Sequence, residues 1–98
     1  MSMGKEFGSY LRDLRQKTHL GIKQVGPEVG VSYSYLSKLE NGLVEPSEET
    51  LRKLATYYGV NEERLNTIAG RLPPDVSRIL SEKPEEAVEL LRSRFGRR

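Results

Sequence analysis

Apolar residues recur along this chain at the three- and four-residue spacing of amphipathic helices. Phe7, Leu11 and Leu14 share one face of a helix predicted at about residues 5–18. Four further segments show the same spacing and end at a glycine: residues 22–30, 32–42, 47–59 and 61–70. No stretch alternates apolar and polar residues for long enough to indicate a strand. The predicted fold class is therefore all-α, with five helices before residue 71.

Capping residues support these helix boundaries. Ser32, Ser47 and Asn61 each stand directly before a periodic segment, where a side-chain oxygen can accept a hydrogen bond from the first turn. Gly42 follows the third helix at the position that favours left-handed backbone. The third helix is thus predicted to start after Ser32 and to stop at Asn41-Gly42.

A pair of prolines divides the chain. Leu72-Pro73-Pro74 is the clearest break in composition, so we predict a domain at 1–70 and a helical extension at 71–98. Pro84 suits the first residue of the last helix in that extension. The apolar stripe of this last helix consists of Val88, Leu91 and Phe95. The stripe either packs locally or forms a dimer seam, and both readings stay open. Arginines cluster at the tail of the chain, at Arg92, Arg94, Arg97 and Arg98.

Composition argues against several function classes. Among the 98 residues there is no Cys, which removes thiol nucleophiles, disulfides and thiolate metal sites. His19 is the only histidine, so no site with two histidine ligands can form. The apolar runs are far shorter than a membrane-spanning helix requires. We therefore predict a cytoplasmic protein that is not an enzyme and that uses no metal or cofactor.

The most informative stretch is LGIKQVGPEVGVSYSYLSKLENG, residues 20–42. Two short helices joined across Gly30-Val31-Ser32 are expected to cross steeply, because a glycine ends the first, an apolar residue fills the turn and a serine starts the second. This arrangement is a helix-turn-helix unit. Two such helices cannot bury both apolar faces alone, so the first, fourth and fifth helices are expected to complete the core.

Over residues 7–70 the sequence resembles the Cro/repressor-type helix-turn-helix family, also called the XRE family. The resemblance is carried by LRDLRQKTHL, GVSYSYLSKLENG and PSEETLRKLATYYGV, in the order and spacing of that family. It implies a five-helix repressor-like domain that binds double-stranded DNA. It further implies that the helix at about 32–41 reads the major groove.

The resemblance also implies roles for individual residues. Arg15 and Glu40 match a structural pair that ties the first helix to the recognition helix. Asn41 matches a position that approaches phosphate. The residues that match positions facing the major groove are Ser32, Tyr33, Ser34, Ser37 and Lys38.

The apolar pattern agrees with these roles. Val31, Leu36 and Leu39 point towards the core, so polar side chains of the third helix are expected on its opposite, solvent-exposed side. Tyr35 is either a half-buried aromatic residue or a phosphate contact. Lys23 is the clearest cation near the helix besides Lys38, so phosphate contacts by one monomer should be few.

These observations predict a sequence-specific transcriptional regulator of the repressor type that binds double-stranded DNA. Because one helix reads only a few base pairs, we expect a homodimer on a palindromic operator. The alternative is an antitoxin-like or adaptor module that binds a partner protein through its C-terminal helices. The apolar stripe of the extension and the uncharged loop Leu43-Val44 favour that alternative.

Overall fold

The computed structural model describes residues 3–96 as seven α-helices, with no strand among these residues. The helices are α1 (Met3–Thr18), α2 (Ile22–Val29), α3 (Tyr33–Glu40), α4 (Glu48–Tyr58), α5 (Glu62–Ile68), α6 (Pro74–Glu82) and α7 (Pro84–Phe95). The predicted all-α fold is confirmed. Arg97 and Arg98 lie outside the described residues.

One hydrophobic core lies within α1–α5. Its buried members come from all five helices: Phe7, Leu11, Val25, Val29, Leu36, Leu39, Leu51, Leu54, Ala55 and Leu65. Leu14 and Val31, both predicted to face the core, are partly buried and pack against this cluster, as does Tyr58. Each of α1–α4 contributes buried residues three or four apart, which is why the spacing along the sequence reveals the face that these helices bury.

The predicted caps lie at the observed helix starts. The side-chain oxygens of Ser32, Ser47 and Asn61 each accept a hydrogen bond from the amide three residues later, at 3.1, 3.1 and 2.9 Å. Gly42 has the left-handed backbone expected after α3, with φ of 70°. The Ser32 cap and the backbone conformation of Gly42 thus fix where α3 begins and ends.

The turn between α2 and α3 brings their backbones into close contact. Gly30 adopts φ of 104°, and the amides of Gly30 and Val31 both donate to the carbonyl of Gly26 at 3.0 Å. A Cβ atom on Gly26 would lie 2.8 Å from the Cα atom of Tyr33. The absence of a side chain at Gly26 therefore lets α3 start directly against α2.

A second close approach joins α1 to the end of α3. A Cβ atom on Gly8 would lie 2.3 Å from the carbonyl oxygen of Glu40 and 2.7 Å from that of Leu39. Both obstacles are backbone atoms, so no change of rotamer would relieve the contact. Gly8 therefore sets the distance between α1 and the last turn of α3.

Helices α6 and α7 form a hairpin that contributes no buried residue to the core. The segment between α5 and α6 is attached to the domain by the Arg71 guanidinium, which donates a hydrogen bond to the carbonyl of Pro46. Val88 is half-buried, whereas Leu91 and Phe95 are 47% and 73% exposed. Leu91 and Phe95 thus lie outside the core of α1–α5, and both readings of this stripe stay predictions. Within residues 3–96, no helix combines the length and apolar character needed to cross a bilayer.

We expect Gly8→Ala to lower the free energy of unfolding by about 1–3 kcal/mol, because an added methyl group meets backbone atoms in a packed interior. This expected loss is the net effect, after subtraction of the gain of about 1 kcal/mol that alanine brings to a helix interior. Chemical denaturation measures the difference. Gly21→Ala is the matched control, since a Cβ atom on Gly21 would have no neighbour within 4 Å. Equal stability of the Gly8→Ala variant and the natural chain would show that α1 does not approach α3 this closely.

Candidate nucleic-acid interface

Helix α3 has a buried side and an exposed side. Leu36 and Leu39 are buried in the core, while Tyr33, Ser34 and Lys38 are exposed. We call these three exposed residues the α3 face. It carries one short polar side chain, one aromatic ring and one cation. Because the polar side chain is short, a large polymer with hydrogen-bonding groups can approach the helix closely.

Three further predicted site residues are already engaged within the chain. The Ser32 hydroxyl caps α3 by accepting from the Tyr35 amide, and the Tyr35 side chain is half-buried against the core. Ser37 is half-buried, and its carbonyl accepts a hydrogen bond from the Asn41 side-chain amide at 2.9 Å. Ser32 is thus an exposed cap at the start of α3, whereas Tyr35 and Ser37 are half-buried at its flanks.

The orientation of α3 depends on a buried ion pair. Arg15 donates from Nε to Oε2 of Glu40 at 2.8 Å and from Nη2 to Oε1 at 3.0 Å. A third bond runs from Arg15 Nη1 to the carbonyl of Leu20 at 3.2 Å. Because the Glu40 side chain is only 1% exposed, this carboxylate depends on cations within the chain, and Arg15 is the nearest of them. The pair fastens α1, the turn before α2 and the end of α3 together.

Electrostatic effects around this pair agree with its burial. The hydrogen bond with Glu40 raises the pKa of the Arg15 guanidinium, so the cation is favoured. Burial raises the pKa of the Tyr58 phenol to about 12, and the negative charge of Glu40 acts in the same direction. The Tyr58 phenol is therefore neutral throughout the physiological range, and the anion in this region is Glu40.

Arg12 is a site residue that the sequence analysis missed. Its Nη2 donates to the side-chain oxygen of Asn41 at 2.9 Å, and its Nε lies 3.6 Å from Oε1 of Glu40. Two guanidinium groups thus share one carboxylate, which leaves a surplus positive charge at the end of α3. The signal was present in the sequence, because Arg12 precedes Arg15 by three residues and shares its helical face.

Asn41 holds Arg12 in place. One end of the Asn41 amide donates to the Ser37 carbonyl, and the other end accepts from Arg12. Both ends are therefore satisfied within the chain. Arg12, whose side chain is 41% exposed, is a cation beside Asn41, and Lys5 lines the same surface.

A second cation lies at the opposite end of α3. The Nζ atom of Lys23 is 5.4 Å from the centre of the Tyr33 ring, which is the geometry of a cation–π contact. Lys23 on α2 and Arg12 on α1 thus flank the α3 face at its start and at its end. The loop after α3 differs, because Leu43 is exposed there and Val44 packs against the core.

The described geometry is that of a helix-turn-helix unit whose second helix presents a polar side to solvent. A family model for the helix-turn-helix domain matches residues 6–68. The chain belongs to the helix-turn-helix family. The match covers α2, α3 and the helices that pack behind them. The predicted helix-turn-helix domain is confirmed, while the assignment to the Cro/repressor branch stays a prediction.

Several helix-turn-helix transcriptional regulators resemble the chain. An uncharacterised HTH-type transcriptional regulator of Mycobacterium tuberculosis is 39% identical over 67 residues, which are 68% of this chain and 48% of that protein. The regulator DdrOP3 of Deinococcus deserti is 35% identical over 80 residues, covering 74% of this chain and 62% of DdrOP3. The regulator RghRB of Bacillus subtilis is 33% identical over 94 residues, covering 93% of this chain and 68% of RghRB. The chain thus spans about half to two thirds of the length of these relatives. No solved structure gives a significant match.

Removing the Glu40 carboxylate should weaken the attachment of α3 to α1. We expect Glu40→Ala to lower the free energy of unfolding by about 1–3 kcal/mol, because Arg15 would be left partly buried without a counterion. Thermal unfolding at neutral pH measures the change. Glu82→Ala, at an exposed position near the end of α6, is the control that removes a carboxylate without a buried partner. An unchanged unfolding temperature for Glu40→Ala would contradict the structural role of the pair.

Proposed function

We propose that this chain binds double-stranded DNA in a sequence-specific manner and reads the major groove with α3. The observation that carries the proposal is the α3 face, flanked by Lys23 at one end and Arg12 at the other. The major groove of B-form DNA admits one α-helix, and short side chains allow that helix to lie deep in it. Flanking cations are then placed to meet the phosphates on either side of the groove.

Within this proposal the residues divide into two groups. Ser34 and Lys38 are exposed on α3 and contact base edges, and Tyr33 adds an apolar or phosphate contact. A lysine can donate to O6 and N7 of guanine, which makes Lys38 the strongest candidate for base discrimination. Lys23 and Arg12 contact phosphates, and Asn41 contributes by positioning Arg12.

We further propose that the chain acts as a repressor. The match to the cryptic phage CTXphi transcriptional repressor RstR of Vibrio cholerae supports this role, with 39% identity over 54 residues. Those 54 residues are 55% of this chain and 49% of RstR. A repressor needs only to occupy its operator, so the proposed role requires no activity beyond DNA binding.

We propose a homodimer on a palindromic operator as the binding unit. Few cations flank each α3 face, and the loop at Leu43 supplies none, so the phosphate contacts of one domain are few. Two domains related by a two-fold axis would place two copies of α3 about 34–36 Å apart, one turn of DNA. The exposed residues Leu91 and Phe95, together with Val88, remain the proposed seam between the two chains.

The alternative function, an antitoxin-like or adaptor module, uses the exposed surface of α6 and α7 to bind a different protein. The exposed apolar residues of α6 and α7 favour a protein contact of some kind. In the homodimer that contact is with a second copy of this chain, whereas in the alternative it is with a different protein. The polar character of the α3 face favours the DNA-binding reading, because a protein-only module has no need of it.

Substitution of Lys38 and substitution of Arg12 should change DNA affinity in different ways. We expect Lys38→Ala to relax the preference for one base pair of the operator, since a good base contact contributes about 1–3 kcal/mol of discrimination. Arg12→Ala should weaken binding equally on operator and random DNA and reduce the salt dependence by about one phosphate contact. Affinity measured on both DNAs over a range of salt concentrations separates the two effects. Equal weakening by Lys38→Ala on both DNAs would remove Lys38 from base recognition.

A further inference from the structure

Exposed apolar side chains are concentrated on the hairpin of α6 and α7. Neither helix has a buried residue, and five large apolar side chains on the hairpin are exposed: Val76, Ile79, Leu90, Leu91 and Phe95. Isolated apolar residues on a surface are ordinary, but a contiguous group of this kind usually marks an interface. The hairpin therefore requires a partner to cover it.

The two helices enclose an apolar groove of about 350 Å³. Its walls are formed by Val76, Ile79, Leu80, Ala87, Leu90 and Leu91. Lys83 and Glu86 stand beside it, near the turn that joins the helices, and form an exposed ion pair at 3.8 Å. The groove is therefore apolar along its length and charged at the closed end of the hairpin.

The charges of α7 are segregated along its axis. Glu85 and Glu86 lie in the first turn, and Arg92 and Arg94 lie in the last turn. Favourable interaction with the helix dipole accounts for opposite charges at the two ends. The helix dipole does not account for the positions of these charges around the helix. Glu86 and Arg94 each lie four residues from Leu90 and share its side of the helix. Leu90, at 64% exposure, is thus the centre of a row with a negative end and a positive end.

We propose that two copies of this chain pair through antiparallel α7 helices, with the two-fold axis passing near Leu90. Antiparallel pairing places Glu86 of one copy opposite Arg94 of the other, and the symmetry repeats this pair. Parallel pairing would place each of these charges opposite its own like charge. This inference rests on the proposed homodimer, adds the orientation of its two chains, and moves the centre of the seam from Val88, Leu91 and Phe95 to Leu90.

The groove agrees with this position of the two-fold axis. Leu90 lines the groove and is 64% exposed, so pairing centred on Leu90 brings the second copy against the mouth of the groove. Phe95 follows Leu90 by five residues, about 140° around the helix, so it lies outside this contact.

The expected interface is small. A helix of 12 residues is about 18 Å long, so paired α7 helices and their grooves fall at the low end of specific protein interfaces. We therefore expect a reversible dimer whose population changes with concentration. Operator DNA, by binding two domains at once, would favour the dimer further.

Charge reversal tests the orientation without DNA. Sedimentation equilibrium of the full chain should show Arg94→Glu weakening the dimer about tenfold, since two attractive pairs become repulsive. Adding Glu86→Arg to the same chain should restore the dissociation constant to within about threefold of the natural value. Arg78→Glu on α6 is the control, because it makes the same change in net charge outside the groove and the Leu90 row. Circular dichroism verifies that α7 stays helical in each variant.

A mixture offers a second route that avoids placing both changes on one helix. Chains carrying Glu86→Arg and chains carrying Arg94→Glu should each dimerise weakly alone and form mixed dimers together. Unaltered dimerisation of the Arg94→Glu chain would overturn the antiparallel orientation. In a parallel pair Arg94 faces Arg94 of the other copy, so the substitution only replaces one like-charge pair by another. A natural chain that is monomeric at every concentration would overturn the homodimer as well and assign the hairpin to a different protein. Neither result bears on DNA recognition by the α3 face, which the Lys38 and Arg12 variants test separately.

Discussion

The Glu40 carboxylate is buried where α1 crosses the end of α3, and much of the domain is arranged around that charge. A buried carboxylate is costly unless cations and hydrogen-bond donors satisfy it. Arg15 satisfies both of its oxygens, and Gly8 lets α1 come close enough for Arg15 to reach it. The orientation of α3 therefore depends on residues of α1, although α1 lies outside the helix-turn-helix unit itself.

This arrangement also links stability to the proposed function. Arg12 shares Glu40 with Arg15 but is more exposed, so the cluster carries surplus positive charge on its outer side. A DNA phosphate would provide the second anion that two guanidinium groups can accommodate. The same carboxylate thus holds α3 in place and sets the position of a cation beside the proposed DNA surface. A change at Glu40 should consequently affect both folding and binding.

Local features of the fold could be predicted from the sequence, whereas contacts between distant elements could not. Helix faces and caps depend on residues within a few positions of one another, so Ser32, Ser47 and Asn61 were assigned correctly. The contact of Arg12 with Asn41 depends on how α1 crosses α3, and no local pattern specifies that crossing. The predicted stripe on α7 likewise omitted Leu90, because the groove that Leu90 lines exists only once α6 packs beside α7.

The central claim is that α3 reads base sequence in DNA. Selection of bound fragments from a random DNA pool by the purified full chain tests it most directly. We expect enrichment of one palindrome whose half-sites are centred about 10–10.5 base pairs apart, the spacing of two copies of α3 on one face of the duplex. Recovery of fragments with no shared sequence, at affinities no higher than those for random DNA, would contradict it.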